Sequence, residues 1–577
     1  MQGTLATTAT SINQKNTVAK EIEKPLKWHK SPDSTVTQDN IENDNLVSQF
    51  SLRKNQIALC TLNAKYIHAS LGLRYLYSNL GALKPAANIH EFTINQRPID
   101  IAEKLLATDP QVVGFGIYIW NVQQTEAVIS LIKKIRPDTT IVIGGPEVSY
   151  EYKDSRAFEL CDYLITGQAD FAFRDLCTEL LANKAPPGKV VDATAPQVRE
   201  LVLPYEQYSV EDLANRVIYV EASRGCPFKC EFCLSALDKT AYPFDLDEFL
   251  QALADLYERG ARQFKFVDRT FNLKVASCLR ILDFFLERLS DDLFLHFEVI
   301  PDKLPATLRT KLTRFPGLSL QFEIGVQSFN PEVQATINRK QDNQKTRENI
   351  AWLRNNTNAY IHADLIFGLP GETLDSFADG FNDLIGLNPQ EIQVGILKRL
   401  RGTGIDRHST EFAMCYETDP PYALLKSRDI DFPTMQRMQR FARYWDMIGN
   451  SGRFTTTRPL VLGANPFDHF LRLSDWLYRT TDQTSRISLA RLFQLIYLGA
   501  KELDLCTEAA LIDALETDFA HCGEKGRPPW EKFTKSPKET AGTSSTSKHQ
   551  STSRASDIAP IQKTPMSRQA RSRSTHP

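Results

Sequence analysis

Cys226, Cys230 and Cys233 stand in the run SRGCPFKCEFC (223–233), spaced Cys-x3-Cys-x2-Cys. Three thiolates on one short loop can hold three irons of a [4Fe–4S] cluster and leave the fourth iron open to a chelating small molecule. Structural zinc is the competing reading. It needs four closed ligands, and the next histidine downstream, His296, is sixty-three residues beyond Cys233. The other seven cysteines are scattered, as isolated reduced thiols are, which suits a cytoplasmic location better than a disulfide framework.

A loop of this kind needs a rigid scaffold, and the flanking sequence supplies one. VIYVEAS (217–223) reads as a strand that enters the cysteine loop. Five more strands follow at 263–272, 293–304, 318–330, 359–373 and 391–403, separated by helical stretches. Six such units predict a partial (βα)6 TIM-type barrel, whose functional groups sit at strand carboxyl ends. Asp268, Glu298, Glu323 and Asp364 fall at those ends.

Upstream, QIALCTL (56–62), NIHEFTI (88–94), VVGFGIYI (112–119), TIVIGG (140–145) and YLITGQ (163–168) read as five strands alternating with helices. That pattern predicts a Rossmann-like, flavodoxin-like α/β domain, with ligand loops beyond the strand carboxyl ends. The Gly144-Gly145-Pro146 loop has little bulk and would let a ligand approach the backbone. Beyond 405 the pattern turns mostly helical and aromatic. The domain boundaries expected are a disordered leader at 1–54, the Rossmann-like domain at 55–190, a linker at 191–216 and the barrel at 217–404. A helical C-terminal domain follows at 405–530, then a disordered Ser/Thr-rich tail at 531–577.

A chain of 577 residues suits three or four domains, and its 42% apolar content can fill their cores. The net charge of −2 gives no reason to expect a nucleic-acid partner, although Lys525–Pro577 holds 11 Lys/Arg against 3 Asp/Glu. No apolar run is long enough to predict a membrane partner.

The upstream motifs resemble the cobalamin-binding domain that precedes many radical S-adenosylmethionine (SAM) enzymes. IVIGGPEVS (141–149) is similar to that family's glycine-containing strand-loop, and DYLITGQADFAFRDL (162–176) to its last strand and helix. The resemblance implies a cobalamin side formed by Tyr118, Trp120, Gly144, Gly145, Pro146 and Ser149. His68 lies where cobalamin mutases place an axial histidine, but Tyr66 and Leu71 replace the accompanying Asp and Gly, which implies cobalamin without a histidine ligand.

The cysteine spacing, with Gly225, Pro227 and Phe232, resembles the radical SAM signature. It implies that the open iron binds SAM and that reduction yields a 5′-deoxyadenosyl radical. Phe232 would then lie near adenine. FVDRTFN (266–272) occupies the place of a Gly-Gly-Glu motif, which assigns Asp268 and Arg269 to the SAM amino group. EIGVQSFN (323–330) is similar to the strand that approaches the SAM carboxylate and ribose, which implicates Glu323, Gln327 and Ser328. The C-terminal segment resembles a domain of uncharacterised function carried by cobalamin-binding radical SAM proteins.

Together the resemblance implies a radical SAM enzyme with a [4Fe–4S] cluster, SAM and cobalamin, an unidentified small-molecule substrate and a flavodoxin or ferredoxin electron donor. Methyl transfer to an unactivated carbon or phosphorus is the leading reaction; radical cyclisation or rearrangement is the alternative. A non-catalytic cobalamin or iron–sulfur sensor is the alternative from another class. A methylthiotransferase would need a second cysteine trio, for which only Cys60, Cys161 and Cys177 are available.

Overall fold

The computed structural model describes residues 52–238, 240–523 and 527–534, together with a two-residue strand at Leu26–Lys27. The rest of the leader and of the basic tail, both read from sequence as disordered, lies outside the described residues.

The first sheet is wholly parallel and has seven strands: β1 (Leu26–Lys27), β2 (Ile57–Asn63), β3 (Ala87–Thr93), β4 (Val112–Gly116), β5 (Thr140–Gly144), β6 (Tyr163–Thr166) and β7 (Val190–Asp192). Its order is β1-β7-β6-β5-β4-β2-β3. Every residue of β2 is buried, as a central strand covered on both faces must be. Separate apolar clusters fill the two faces, one around Ile101, Val128 and Ile132, the other around Leu73, Phe173 and Leu176. The chain runs from β2 to β3 in one direction and from β4 onward in the other. The carboxyl ends of β2 and β4 therefore flank a topological switch point, where such sheets bind ligands. β7 and β1 extend the five strands read from the sequence. Each is too short to show a hydrophobic period, and the pairing of Leu26 with Val191 corrects the reading of the leader as wholly unstructured.

The second sheet contains β8 (Ile218–Val220), β11 (Gln263–Phe266), β12 (Phe294–Val299), β13 (Leu320–Gln327), β14 (Tyr360–Phe367) and β15 (Glu391–Ile396). All five pairings are parallel, in the order β15-β14-β13-β12-β11-β8, so the barrel is open between β8 and β15. A minor hairpin, β9 (Ser223–Arg224) and β10 (Tyr242–Pro243), brackets the cysteine loop. The strand period of two separates the faces. Leu295, Phe297, Phe322, Ile324, Ile361 and Ala363 join the apolar core, while the alternate residues His296, Glu298, Glu323, His362 and Asp364 are polar.

The C-terminal helices cover the β15 edge. Phe381 of the helix Leu374–Leu387 meets Trp445 of Phe432–Ile448 edge-on at 4.9 Å. Asn450 then substitutes for a missing strand: Ile392 N–H donates to its Oδ1 at 3.0 Å, and its Nδ2 donates to Ile392 O at 2.9 Å. An open strand edge is a liability for aggregation, and this side chain closes it at one residue. Among the described residues no helix is long and apolar enough to cross a membrane.

Asn450→Ala leaves the buried Ile392 N–H unpaired, whereas Ile392 O keeps the Trp445 indole N–H. The expected cost is about 1–3 kcal/mol, read as a lower urea midpoint with unchanged iron content.

Candidate functional site

The cysteine loop is anchored from both ends. β9 and β10 pair through Arg224↔Tyr242 and Ser223↔Pro243. Gly225 has φ +94°, and a Cβ there would stand 2.2 Å from Thr240 O, so only glycine turns the chain into the loop. Inside it, Cys226 N–H donates to Asp238 O at 3.2 Å and Cys233 N–H to Cys230 O at 3.1 Å.

All three cysteines line one cavity of about 520 Å³ at the carboxyl end of the barrel, with Phe232, Arg269, Glu298, Glu323, Gln327, Arg339 and Asp364. Among the described residues no three His, Cys, Asp or Glu side chains are placed to share a single metal ion. Three thiols on one short loop lining one cavity are the donor set that a [4Fe–4S] cluster uses, one sulfur to each of three irons. Burial raises the Cys230 thiol, while Arg339, whose Nη1 lies 3.6 Å from its Sγ, acts in the opposite direction.

The polar strand ends form an electrostatic network, not a set of separate charges. Register places Glu298 beside Glu323, Glu323 beside His362, and His362 beside Glu391. Adjacent carboxylates repel unless cations intervene. Arg269 binds both Glu298 oxygens at 2.7 and 2.8 Å, and Lys265 Nζ lies 3.4 Å from Glu323. Burial opposes the Glu323 charge, but His296 at 3.0 Å and Lys265 outweigh it and hold this carboxyl well below the usual range. The two barrel histidines differ. Burial drives His296 down to about 4, so its Nε2–H donates to Glu323 as a neutral ring. Burial works against a charge on His362 too, yet Asp364 at 2.9 Å and Glu391 at 3.1 Å raise it to about 10.

Two expected SAM contacts are corrected. Asp268 does not line the cavity: it is 4% exposed, accepts from Ala222 N–H at 2.9 Å and takes the Ser223 hydroxyl at 2.6 Å. Burial leads a rise of its carboxyl to about 7. Its place is behind the wall, clamping the strand that enters the cysteine loop. Ser328 is also buried behind the wall and donates to Glu372, whose carboxyl burial raises to about 8. Phe232, Arg269, Glu323 and Gln327 do face the cavity. The sequence reading missed Arg339, which also donates to Gly325 O and to Gln341 at 2.9 Å. Its only signal was the basic pair Arg339-Lys340 beyond β13.

A second cleft of about 330 Å³ opens at the switch point of the first sheet. Tyr118, Gly144 and Gly145 line it with Gly72, Gly116 and Gly167. These five glycines leave room that side chains would fill, which fits a large planar cofactor with a long tail. Gly145 has φ +111°, and a Cβ would stand 2.4 Å from Ile117 O. The other three expected residues stand outside the lining and are corrected here. Ser149 Oγ donates to Gly145 O at 2.9 Å and accepts from Gly167 N–H at 3.3 Å, joining the two glycine loops. Trp120 is half exposed and stacks on Tyr118 with ring centroids 4.5 Å apart. Pro146 continues the turn that follows Gly145. His68 faces elsewhere: its Nδ1 lies 2.7 Å from Tyr219 Oη, and it lines a separate cavity with Lys265 and His296.

The two clefts are tied together. Arg224, next to the cysteine loop, reaches Asp170 at 3.0 Å and Gln168 at 3.2 Å, and also lines the glycine cleft. Beyond β15, Arg399 holds Glu151 at 2.9 Å and Arg401 donates to Glu151 O at 2.7 Å. Tyr422 donates to Glu147 at 2.6 Å. The carboxyl edges of sheet and barrel therefore face each other. Cys60 and Cys161 belong to the core on one face of the first sheet and Cys177 to the core on the other, so no second cysteine trio assembles.

Gly116 tests the glycine cleft without disturbing the backbone, because a Cβ there meets only ordinary contacts at 3.6 Å or more. Gly116→Val is expected to abolish cobalamin retention and leave iron unchanged, measured by elemental cobalt and iron after anaerobic reconstitution. Wild-type cobalt in this variant contradicts the assignment.

Three families match successive parts of the chain: the B12 binding domain at 58–177, the Radical SAM superfamily at 220–384, and a protein family of unknown function, DUF4080, at 410–576. Among curated proteins, the chain is similar to 2-(S-pantetheinyl)-carbapenam-3-carboxylate methyltransferase of Streptantibioticus cattleyicolor, 25% identical over 50% of this chain and 46% of that one. The cobalamin-dependent radical SAM methyltransferase TokK of Streptomyces tokunonensis is 25% identical over 50% of this chain and 47% of that one. The chain thus spans about half the length of these relatives. Among solved structures, the cobalamin-dependent SAM radical enzyme OxsB shares the fold with a TM-score of 0.56 and 14% identity, over 82% of this chain and 85% of that one. A radical SAM core implies a [4Fe–4S] cluster and SAM, and a B12 binding domain implies cobalamin. The chain therefore carries, in order, a match to the B12 binding domain, a match to the Radical SAM superfamily and a match to DUF4080.

Proposed function

We propose that this chain is a cobalamin-dependent radical SAM methyltransferase acting on a small molecule. The observation that carries this reading is the facing of the two edges, with Arg224 bound to Asp170 and Gln168 across the gap. When bound, the cluster and SAM would supply an adenosyl radical, and cobalamin a methyl carrier.

The chain's own residues hold and shape. In this proposal Cys226, Cys230 and Cys233 hold the cluster and leave one iron for SAM. Phe232, Arg269, Glu323 and Gln327 form the SAM side of the cavity, while Asp268 and Ser328 position it from behind. Tyr118, Gly144 and Gly145 form the cobalamin side, with Trp120, Pro146 and Ser149 shaping its loops. Asp364 and Glu298 face the same cavity and are offered to the substrate. The functional units are 55–190, 217–404 and 405–530. The scattered thiols suit a reducing cytoplasm, and a flavodoxin or ferredoxin is the proposed electron donor.

The test uses anaerobically reconstituted protein with SAM, cobalamin, reductant and extracts of candidate small molecules. A methyltransferase forms S-adenosylhomocysteine only when cobalamin is present, and 5′-deoxyadenosine only when reductant is present. Cys226→Ala should abolish the second product, and Cys278→Ala should leave it at the wild-type level. Formation of 5′-deoxyadenosine alone would replace methyl transfer by cyclisation or rearrangement. Neither product would make the chain a sensor.

A further inference from the structure

At the amino ends of β14 and β15, opposite the cysteine loop, a cavity of about 120 Å³ lies against the C-terminal helices. Two arginines line it, Arg354 from the last turn of the helix Asn343–Asn356 and Arg458 from the helix Thr457–Leu462, with Gln390, Gly449 and Thr455. Elsewhere, Arg74 pairs with Glu91 and Asp212, and Arg224 with Asp170 and Glu221. The two arginines of this cavity, both half-buried, lack such carboxylate partners among the described residues. Among the described residues Arg354 has no ion pair, and its Nε is buried without a hydrogen-bond partner. Arg458 has no carboxylate partner either, and its Nη1 donates to Gly449 O at 3.1 Å.

A guanidinium removed from water without a counterion is unfavourable, and two in one cavity repel each other. Burial lowers the affinity of both for their protons; on Arg458, Tyr360 opposes this, and Arg354 adds a smaller lowering of its own. An anion between them would offset both effects. The two planar forks suit the several oxygens of a phosphoryl group better than a single point acceptor. A neighbouring cavity of about 200 Å³ shares Asn388, Pro389 and Arg458 with the first. Its remaining walls include Ile385, Ile392 and Leu462, so it offers an apolar compartment beside the charged one.

From this pairing we infer that Arg354 and Arg458 bind the phosphoryl group of an organic phosphate whose apolar body lies in the adjoining compartment. The site is separate from the radical chemistry and joins the barrel to the C-terminal domain. It would report or tether a phosphorylated small molecule at that junction.

The experiment is calorimetric titration of full-length, anaerobically reconstituted protein with inorganic phosphate, phenyl phosphate and benzoate at constant ionic strength. Phenyl phosphate is expected to bind at least about tenfold more tightly than inorganic phosphate or benzoate, a difference of about 1.4 kcal/mol. Arg354→Ala and Arg458→Ala should each weaken phenyl phosphate at least about tenfold, while reductive SAM cleavage stays at the wild-type rate. Arg458→Lys keeps a charge but loses the fork, and should show a smaller loss with unchanged iron content; it carries the test if the alanine variants fold poorly. Benzoate binding as tight as phenyl phosphate overturns the phosphoryl assignment. Undetectable phenyl phosphate binding, or equal affinity in the variants, overturns the site.

Discussion

Arg224 is the side chain on which the arrangement of the molecule turns. It stands one residue before the glycine that opens the cysteine loop, and its guanidinium reaches Glu221 on its own domain and Asp170 and Gln168 on the other. The Tyr75 ring covers it at 4.6 Å. Burial penalises its charge, but the two carboxylates more than offset that and raise its proton affinity. A charge so placed has one favourable position, because removal of any partner leaves the others buried and unpaired. Sheet and barrel are thereby fixed with their carboxyl edges opposed, and the Arg399 and Arg401 contacts to the 147–151 loop repeat the constraint on the far side.

Within that frame the barrel solves a second electrostatic problem. Parallel register brings Glu298, Glu323, His362 and Glu391 side by side, and a row of carboxylates in a cavity is unfavourable unless cations are interleaved. Arg269, Lys265 and the charged His362 are those cations. The barrel therefore keeps these acidic groups ordered by setting cations between them. Asp268, by contrast, gives up exposure to hold the cysteine loop. The same chemical type has two fates, set by whether its strand ends at the cavity or beneath the loop.

Much of this was legible in the sequence. The Cys-x3-Cys-x2-Cys spacing fixed the loop chemistry, and alternating apolar residues gave all six barrel strands because each is buried on its outer face. Period two also identified the inward polar set. What the pattern could not reveal was the distance between a side chain and its cavity. Asp268 and Ser328 follow strands as expected, but short bonds to Ser223 and Glu372 turn them away. Ser149 was placed at the cobalamin side by nearness in sequence, whereas its hydroxyl links two loops instead. The bridging roles of Arg224, Arg339 and Arg401 escaped notice for a different reason. Their roles depend on partners as far away in sequence as Glu151, and no local periodicity encodes such a pair. The strands Leu26–Lys27 and Val190–Asp192 escaped because two or three residues carry no period at all.

The central claim is that sheet and barrel present one shared chamber, and electron spin relaxation tests it most directly. Protein loaded with cob(II)alamin and a reduced cluster should show faster relaxation of the cobalt signal than Cys226→Ala protein, which keeps cobalamin and lacks the cluster. Loss of that enhancement in Arg224→Leu protein with full iron and cobalt would trace it to the bridge between the edges. Identical cobalt relaxation with and without the cluster would place the two centres apart and contradict the account.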